Sequence, residues 1–144
     1  MTKINHILVP VNGNSTDDEA VRVACTTARK HKARVSVIYV IEVKRTLPLD
    51  AEVQTEIDKG EAILDRAERV AGENEMTADT ELLQARDVGP AIVDESVERG
   101  CDIIVMGLPY KRRFGEYSVG HTIGHVLKNS PAWVWVIREP MRER

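Results

Sequence analysis

The segment CDIIVMGLPYKRRFGEYSVGHTIGHVLKNSPAWVWVI, residues 101–137, contains a strand, a loop, a helix and a second strand in succession. Its first seven residues form an almost unbroken apolar run, which is typical of a strand covered on both faces. Residues 120–129 carry apolar side chains at helical spacing, and Ile123, Val126 and Leu127 are expected on the inner side of this helix. The closing AWVWVI is again a short apolar run. A strand, a helix and a strand in this order predict a parallel pair joined by a crossover helix.

The rest of the sequence repeats this alternation. HILVPV, residues 6–11, predicts a strand followed by the turn NGN, and Ser15 or Thr16 is expected to cap the helix that follows. A second strand is expected over about 34–41, a long helix from 51 to about 73, a third strand near an edge in TADTELLQAR, and a short helix in VGPAIVDESVERG. The prediction is an α/β fold: a three-layer α/β/α, Rossmann-like domain with a doubly wound five-stranded parallel sheet in the order 3-2-1-4-5.

The composition indicates a single soluble domain over residues 1–144. Hydrophobic residues make up 42% of the sequence, and the formal net charge of −3 argues against a general nucleic-acid-binding protein. No apolar run reaches the length of about 20 residues that spans a bilayer, so no membrane insertion is expected. Cys25 and Cys101 lie far apart in the sequence and are interpreted as reduced thiols of a cytoplasmic protein.

Ligands of a doubly wound sheet bind beyond the carboxyl ends of the strands, where the winding direction reverses. With the first strand in the middle of the sheet, the NGN turn and the loop after the fourth strand face one crevice. The helix that starts at Gly120 would present free N–H groups to an anion such as phosphate. Gly120 would allow close approach of the ligand, while His121 and Thr122 would add side-chain donors.

Three consecutive basic residues, Lys111, Arg112 and Arg113, belong to the loop after the fourth strand. Arginine can hold a phosphate through two hydrogen bonds, so these residues are candidates for phosphate binding. Alternatively, they form a solvated loop that keeps the protein soluble.

The whole sequence resembles a universal stress protein domain, from ILVPVNGN through CDIIVMG to GHTIGHVLKNSPAWVWVIR. The resemblance implies a site for ATP or another adenine nucleotide, with Mg²⁺ only if it accompanies the nucleotide. The family pattern is Gly-x2-Gly-x9-Gly-Ser/Thr, and its first and third glycines fall on Gly107 and Gly120. The aspartate that ends the first strand in the family falls on Asn12, and the valine that ends the second falls on Val40.

Three positions depart from that pattern. Tyr110 replaces the second glycine, His121 replaces the hydroxyl residue, and Asn12 replaces the aspartate. The Tyr110 ring would either block the pocket or stack on a ligand, and Thr122 would supply the missing hydroxyl. The predicted nucleotide-binding residues are Pro10, Val11, Asn12, Val40, Met106, Gly107, Tyr110, Arg112, Arg113, Gly120, His121 and Thr122.

The last strand carries both tryptophans, and Trp133 and Trp135 share one of its faces. They either pack beneath a helix or form an interface, where tryptophan is favoured. The family resemblance implies a homodimer in which the last strands pair antiparallel, through Trp133, Val134, Trp135 and Val136.

The function expected from the resemblance is regulatory: nucleotide binding would order residues 108–119 and change the surface shown to an unknown protein partner. The alternative is an interaction module that binds no nucleotide, including one that regulates a transporter. Turnover is less expected, since no GxSxG elbow is present, and slow phosphohydrolase activity ranks last. His121 and His125 have a spacing that suits zinc, but no third ligand is evident. His121 is instead expected to contact phosphate, and His125 is expected at the surface or facing a partner.

Overall fold

The computed structural model describes residues 3–110 and 120–141, in which five strands alternate with four helices. All strand pairs are parallel, and the sheet order is β3-β2-β1-β4-β5. The predicted fold class and strand order are confirmed. The elements are β1 His6–Pro10, α1 Asp17–His31, β2 Arg34–Glu42, α2 Gln54–Glu73, β3 Asp79–Ala85, α3 Val88–Glu98, β4 Ile103–Leu108, α4 His121–Asn129 and β5 Trp133–Arg138.

Helices cover both faces of the sheet and divide the core in two. Alternate strand residues such as Val9 and Val105 pack with apolar side chains of α1 and α2 in one cluster. The residues between them, such as Leu8 and Ile104, pack with α3 and α4 in the other. This double covering explains why β4, and β1 after His6, are apolar throughout. β3 lies at one edge, as its polar sequence predicted, and β5 lies at the other.

Pro10 separates the two central strands at their carboxyl ends. β1 pairs with β4 only at Ile7–Ile103 and Leu8–Ile104, whereas its pairing with β2 continues to Pro10. Val11 N–H donates to Ile38 O at 2.9 Å, so alternation along the strand turns the backbone of Pro10 towards β4. Proline has no N–H to donate to β4, and the ladder ends there. The sheet therefore opens between β1 and β4 at the point where its strand order reverses.

The start of α1 differs from the sequence-based expectation. Thr16 is the N-cap residue, but neither it nor Ser15 caps the helix through its side chain. The Ser15 hydroxyl instead donates to Glu139 Oε2 at 3.3 Å, and the Thr16 N–H donates to Asn14 Oδ1 at 2.7 Å. The expected hydroxyl cap is therefore wrong. α2 begins at Gln54, three residues later than the expected start. Leu127 of α4 was expected on the inner side of its helix, but it is 51% exposed, and only Ile123 and Val126 are buried there.

A buried polar network holds the opposite, amino end of the sheet. His6 is 5% exposed, and its Nδ1–H donates to Arg99 O at 3.1 Å. A carbonyl oxygen only accepts, so Nε2 is the unprotonated nitrogen and accepts from the Ser36 hydroxyl at 2.7 Å. Burial lowers the pKa of His6. This histidine is a satisfied core residue far from the carboxyl ends of the strands.

Both cysteines, Cys25 and Cys101, are free thiols. Burial raises the pKa of Cys25, and it raises that of Cys101 to about 11.

Within residues 3–110 and 120–141, no helix combines the length and apolar character needed to cross a membrane.

Candidate functional site

A cavity of about 150 Å³ lies where the sheet opens, at the carboxyl ends of β1, β2 and β4. α3 and the first turn of α4 close it from one face of the sheet. Its described lining carries no charged side chain, and apolar groups predominate. The lining residues are Pro10, Val11, Asn12, Asn14, Tyr39, Val40, Val88, Ile92, Met106, Gly107, Thr122 and Ile123.

Val40 brings free backbone groups to this cavity. Ile38 O accepts from Val11 N–H, and strand alternation turns the N–H and C=O of Val40 the same way, towards β1. β1 has already ended at Pro10 at this level. Within the described part of the protein, the Val40 N–H has no hydrogen-bond partner. The strand thus offers one donor and one acceptor side by side, which matches the edge of a nucleobase.

The turn after β1 forms one wall of the cavity and is held by its own side chains. Asn12 Oδ1 accepts from the backbone N–H of Asn14 at 3.1 Å and from Asn14 Nδ2 at 2.7 Å. A backbone N–H can only donate, so these bonds fix the orientation of the Asn12 amide. The Asn12 NH₂ group is the one left to face a ligand. Asn12 therefore presents a donor where the family pattern has an acidic acceptor.

The buried carboxyl group of Asp17 holds this turn through hydrogen bonds to its backbone. Its Oδ2 accepts from Gly13 N–H at 2.7 Å and from Asn12 N–H at 3.3 Å. Asp17 is 8% exposed, and burial raises its pKa to about 6, although those two N–H groups oppose the rise. Gly13 adopts φ +91°, which favours glycine. The position of Asn12 at the cavity thus depends on a buried carboxyl group in the first turn of α1.

Packing of α1 on β4, and not access of a ligand, requires a glycine at position 107. A Cβ added at Gly107 would lie 2.7 Å from Thr16 O and 2.9 Å from Thr16 C. The missing side chain lets the start of α1 pack directly on β4. Thr16 Oγ1 is buried there and has no hydrogen-bond partner within the described residues.

The start of α4 also meets the cavity, but only in part. Gly120 is the N-cap residue, with φ 94° and ψ 157°, a conformation that is essentially restricted to glycine. Thr122 and Ile123, in the first turn, line the cavity. His121 is exposed, and neither it nor Gly120 belongs to the lining.

Tyr110 lies on the side of β5 and is not among the lining residues. The Arg138 guanidinium lies 5.3 Å from the centre of its ring, a distance that suits a cation–π contact. The backbone N–H of Tyr110 donates to Glu139 Oε1 at 3.0 Å, and Glu139 also accepts from Ser15. These contacts draw the residue towards the segment that follows β5.

Seven of the twelve predicted site residues line the cavity. Three others, Tyr110, Gly120 and His121, do not. The remaining two, Arg112 and Arg113, belong to residues 111–119, which lie outside the described residues. Sequence reasoning missed the contribution of α3. Val88 and Ile92 are four residues apart on one face of that helix, and this spacing was the signal that could have found them. The residues not predicted are Asn14, Tyr39, Val88, Ile92 and Ile123.

The edge strand β5 has one strongly exposed aromatic residue. Trp133 is 56% exposed, whereas Trp135 packs against the core on the side of α1 and α2.

His125 was expected at the surface or facing a partner, but it packs on α3, where a Cβ at Gly89 would lie 2.9 Å from His125 Cβ. No group of three or more His, Cys, Asp or Glu side chains that could hold a metal occurs within residues 3–110 and 120–141.

Known proteins share this fold. A universal stress protein of Methanocaldococcus jannaschii is 28% identical over 143 residues, which span 95% of this protein and 84% of the relative. A universal stress protein structure from Archaeoglobus fulgidus has a TM-score of 0.78 at 20% identity, covering 94% of this protein and 99% of its own length. A universal stress protein from Archaeoglobus fulgidus in complex with dAMP has a TM-score of 0.76 at 20% identity, with the same coverage of both proteins. The model of the universal stress protein family matches residues 3–138, and the protein therefore belongs to this family.

Proposed function

We propose that this protein is a regulatory domain that binds ATP or a related adenine nucleotide at the carboxyl ends of β1, β2 and β4. The observation that carries the proposal is the apolar cavity between Asn12, Val40 and Thr122, with a free backbone donor and acceptor on one wall. Binding pockets typically combine apolar walls with a few placed polar groups. The structural relative in complex with dAMP supports the class of ligand.

The cavity suits the base of the nucleotide. Its volume of about 150 Å³ is below the ~300 Å³ at which pockets for whole drug-sized ligands begin. An adenine has a donor and an acceptor on one edge, and Val40 offers their complements. The sugar and phosphates then extend out of the cavity towards the start of α4.

The first turn of α4 suits the phosphates. Its free N–H groups carry partial positive charge, its first turn has no acidic residue, and Thr122 adds a hydroxyl. The described cavity lining has no carboxylate to hold a metal ion, so Mg²⁺ would enter only on the phosphates. In this proposal the protein binds the nucleotide and does not hydrolyse it.

The test is thermal unfolding of the purified protein with ATP, AMP, dAMP or adenosine, with inorganic triphosphate as the control. A ligand at a hundred times its Kd stabilises the folded state by about 2.7 kcal/mol, a readily visible shift. Stabilisation by AMP and adenosine, but not by triphosphate, is expected. The absence of a shift with every nucleotide, and of nucleotide released from denatured protein, would overturn the proposal.

A matched pair of variants locates the site. Val88→Phe places a ring in the cavity and should abolish the shift. Val97→Phe makes the same change on the same helix at a position that is 57% exposed, and should leave the shift intact. Equal binding by both variants would place the ligand elsewhere.

A homodimer through β5 is the second part of the proposal. Trp133 is exposed on an edge strand that is apolar except for Arg138 at its end. A bare apolar edge strand is prone to aggregation, and pairing with a second copy of β5 would cover it. The dimer would also give the protein a two-fold surface for a regulatory partner.

A further inference from the structure

Asn12 and Gly13 form an Asn-Gly pair in an unusual setting. Asn12 is the only asparagine of the sequence that is followed by glycine, and both residues are exposed. Glycine after asparagine leaves the backbone nitrogen unshielded, so this pair is chemically the most prone to loss of the side-chain amide. We propose that Asn12 is a deamidation site whose reaction the fold promotes, so that the protein converts it to an acidic residue at the rim of the cavity.

The reaction needs only water as co-reactant. The backbone nitrogen of Gly13 attacks Cγ of Asn12, an N–C bond forms, and the nitrogen loses its proton. The bond between Cγ and the amide nitrogen of Asn12 then breaks, ammonia leaves with that proton, and a cyclic imide remains. Water opens the imide to aspartate or isoaspartate. No group is oxidised or reduced in either step.

The electrophile is polarised by Asn14. As the nitrogen attacks Cγ, negative charge develops on Asn12 Oδ1. This oxygen already accepts two N–H bonds, from the Asn14 backbone at 3.1 Å and from Asn14 Nδ2 at 2.7 Å. Fixed donors aimed at an oxygen that gains charge lower the barrier to such attack.

The nucleophile has a base in contact. Gly13 N–H donates to Asp17 Oδ2 at 2.7 Å, within the range for a general base. The charged groups around Asp17 are Asp18 beside it and Arg66 and Arg69 from α2, and Arg66 is paired with Asp18 at 2.6 Å. Neither arginine forms an ion pair with Asp17, whose pKa is affected among charged groups by Asp18 alone, and Asp17 is ionised at neutral pH because its pKa is about 6.

The product changes the cavity. Aspartate at position 12 replaces the NH₂ donor with a carboxylate that only accepts, so ligands that offer a donor would gain. This consequence rests on the proposed nucleotide site, whereas the reaction itself does not. Deamidation would thus produce two forms of the protein with different ligand preferences.

The first test follows the intact mass and the tryptic peptide containing Asn12 over days at pH 7.5, in folded protein and in protein held in urea. Reaction in the folded state at least as fast as in urea is expected. An Asn12 that stays intact in the folded protein while it reacts in urea would show that the fold protects it, and would overturn the proposal.

Variants separate general-base catalysis from simple stability. Asp17→Asn should slow the folded-state reaction by roughly 100-fold, the lower end of the contribution that a general base typically makes. The same variant in urea should react like wild type. Gly72→Ala is a stabilising control, because nothing lies within 4 Å of its added Cβ. If Gly72→Ala slows the reaction as much as Asp17→Asn, the reaction runs through unfolding and the proposal fails.

The pH dependence is a further readout. With Asp17 as base, the folded-state rate should level off once that carboxyl is ionised, above about pH 7. In urea the rate should keep rising with hydroxide concentration. Equal pH profiles in the two states would exclude the role of Asp17.

A last variant, Asn12→Asp, tests the consequence for the cavity. It should change the ratio of the affinities for AMP and adenosine. An unchanged ratio would count against the proposed nucleotide site, whereas the mass measurements of deamidation would still stand.

Discussion

Replacing Gly107 with alanine tests whether this glycine is required by packing. Gly107 lies in β4, and an added Cβ would lie 2.7 Å from Thr16 O, 2.9 Å from Thr16 C and 3.0 Å from Thr16 Cβ. Two of these atoms are backbone, so no rotamer change can relieve the overlap. The whole start of α1 must move away from the sheet, and the turn that carries Asn12 moves with it.

The expected loss follows from two opposing effects. Alanine in place of glycine stabilises a strand or helix by about 0.5–1 kcal/mol through the entropy of the unfolded state. Overpacking in a rigid core destabilises by about 1–3 kcal/mol. Because the neighbours here are backbone atoms, we expect the upper part of that range and a net decrease of about 1–2 kcal/mol in the free energy of unfolding.

Urea denaturation measures this decrease, and Gly124→Ala is the matched control. Gly124 lies inside α4, and nothing lies within 4 Å of its added Cβ. That variant should gain about 0.5–1 kcal/mol, as for glycine to alanine in a helix. A Gly107→Ala protein as stable as Gly124→Ala would refute the packing argument and return Gly107 to a role in ligand access alone.

Four further outcomes are expected. Burial raises the pKa of folded Asp17 to about 6, so ionisation of this carboxyl destabilises the folded state as the pH rises through that value. Asp17→Asn removes this cost and should raise the free energy of unfolding by about 1–2 kcal/mol at pH 8 and by less at pH 5. Urea denaturation at the two pH values measures the difference. Ser36→Ala should lower it by about 1–3 kcal/mol, because Nε2 of buried His6 loses its donor. Since burial lowers the pKa of His6, the fold should also lose stability as pH falls below 6.5, most clearly seen in the Asp17→Asn background, which lacks the opposite trend of the carboxyl. Trp133→Glu should yield a monomer in sedimentation velocity, whereas Leu127→Glu, at a similarly exposed site on α4, should leave a dimer; two dimers would refute pairing through β5.

The fold could be predicted because its signals are periodic and redundant. β1 and β4 are apolar on both faces, and each is followed by a helix with a single apolar stripe, which only a doubly covered parallel sheet accommodates. The start of α1 could not be predicted in detail. Asn14, Ser15 and Thr16 can all cap a helix, and the choice among them depends on Glu139, which lies 124 residues away from Ser15.

The lining of the cavity was predictable where it follows from the ends of strands. Pro10, Asn12 and Gly107 stand at carboxyl ends that topology brings together, so the sequence pattern was sufficient. The contribution of α3 depends on how that helix rotates against the sheet. Tyr39 was missed for a related reason, since an aromatic residue in an apolar strand has the same pattern whether it fills the core or borders a cavity.

The two glycines of the family pattern carry different information about ligand binding. Gly107 is required by the contact of Thr16 with β4, so a glycine is expected there whether or not a nucleotide binds. Gly120 is required by its backbone conformation, and its added Cβ would meet nothing within 4 Å. Keeping either glycine is thus consistent with a member that binds no nucleotide. A nucleotide-binding member is better distinguished from a nonbinding one by groups that the fold itself does not require. These groups are the free N–H of Val40 and the side chain of Thr122. The nucleotide proposal therefore depends on the cavity walls and not on the glycine spacing, and cavity-filling variants test it more directly than glycine substitutions.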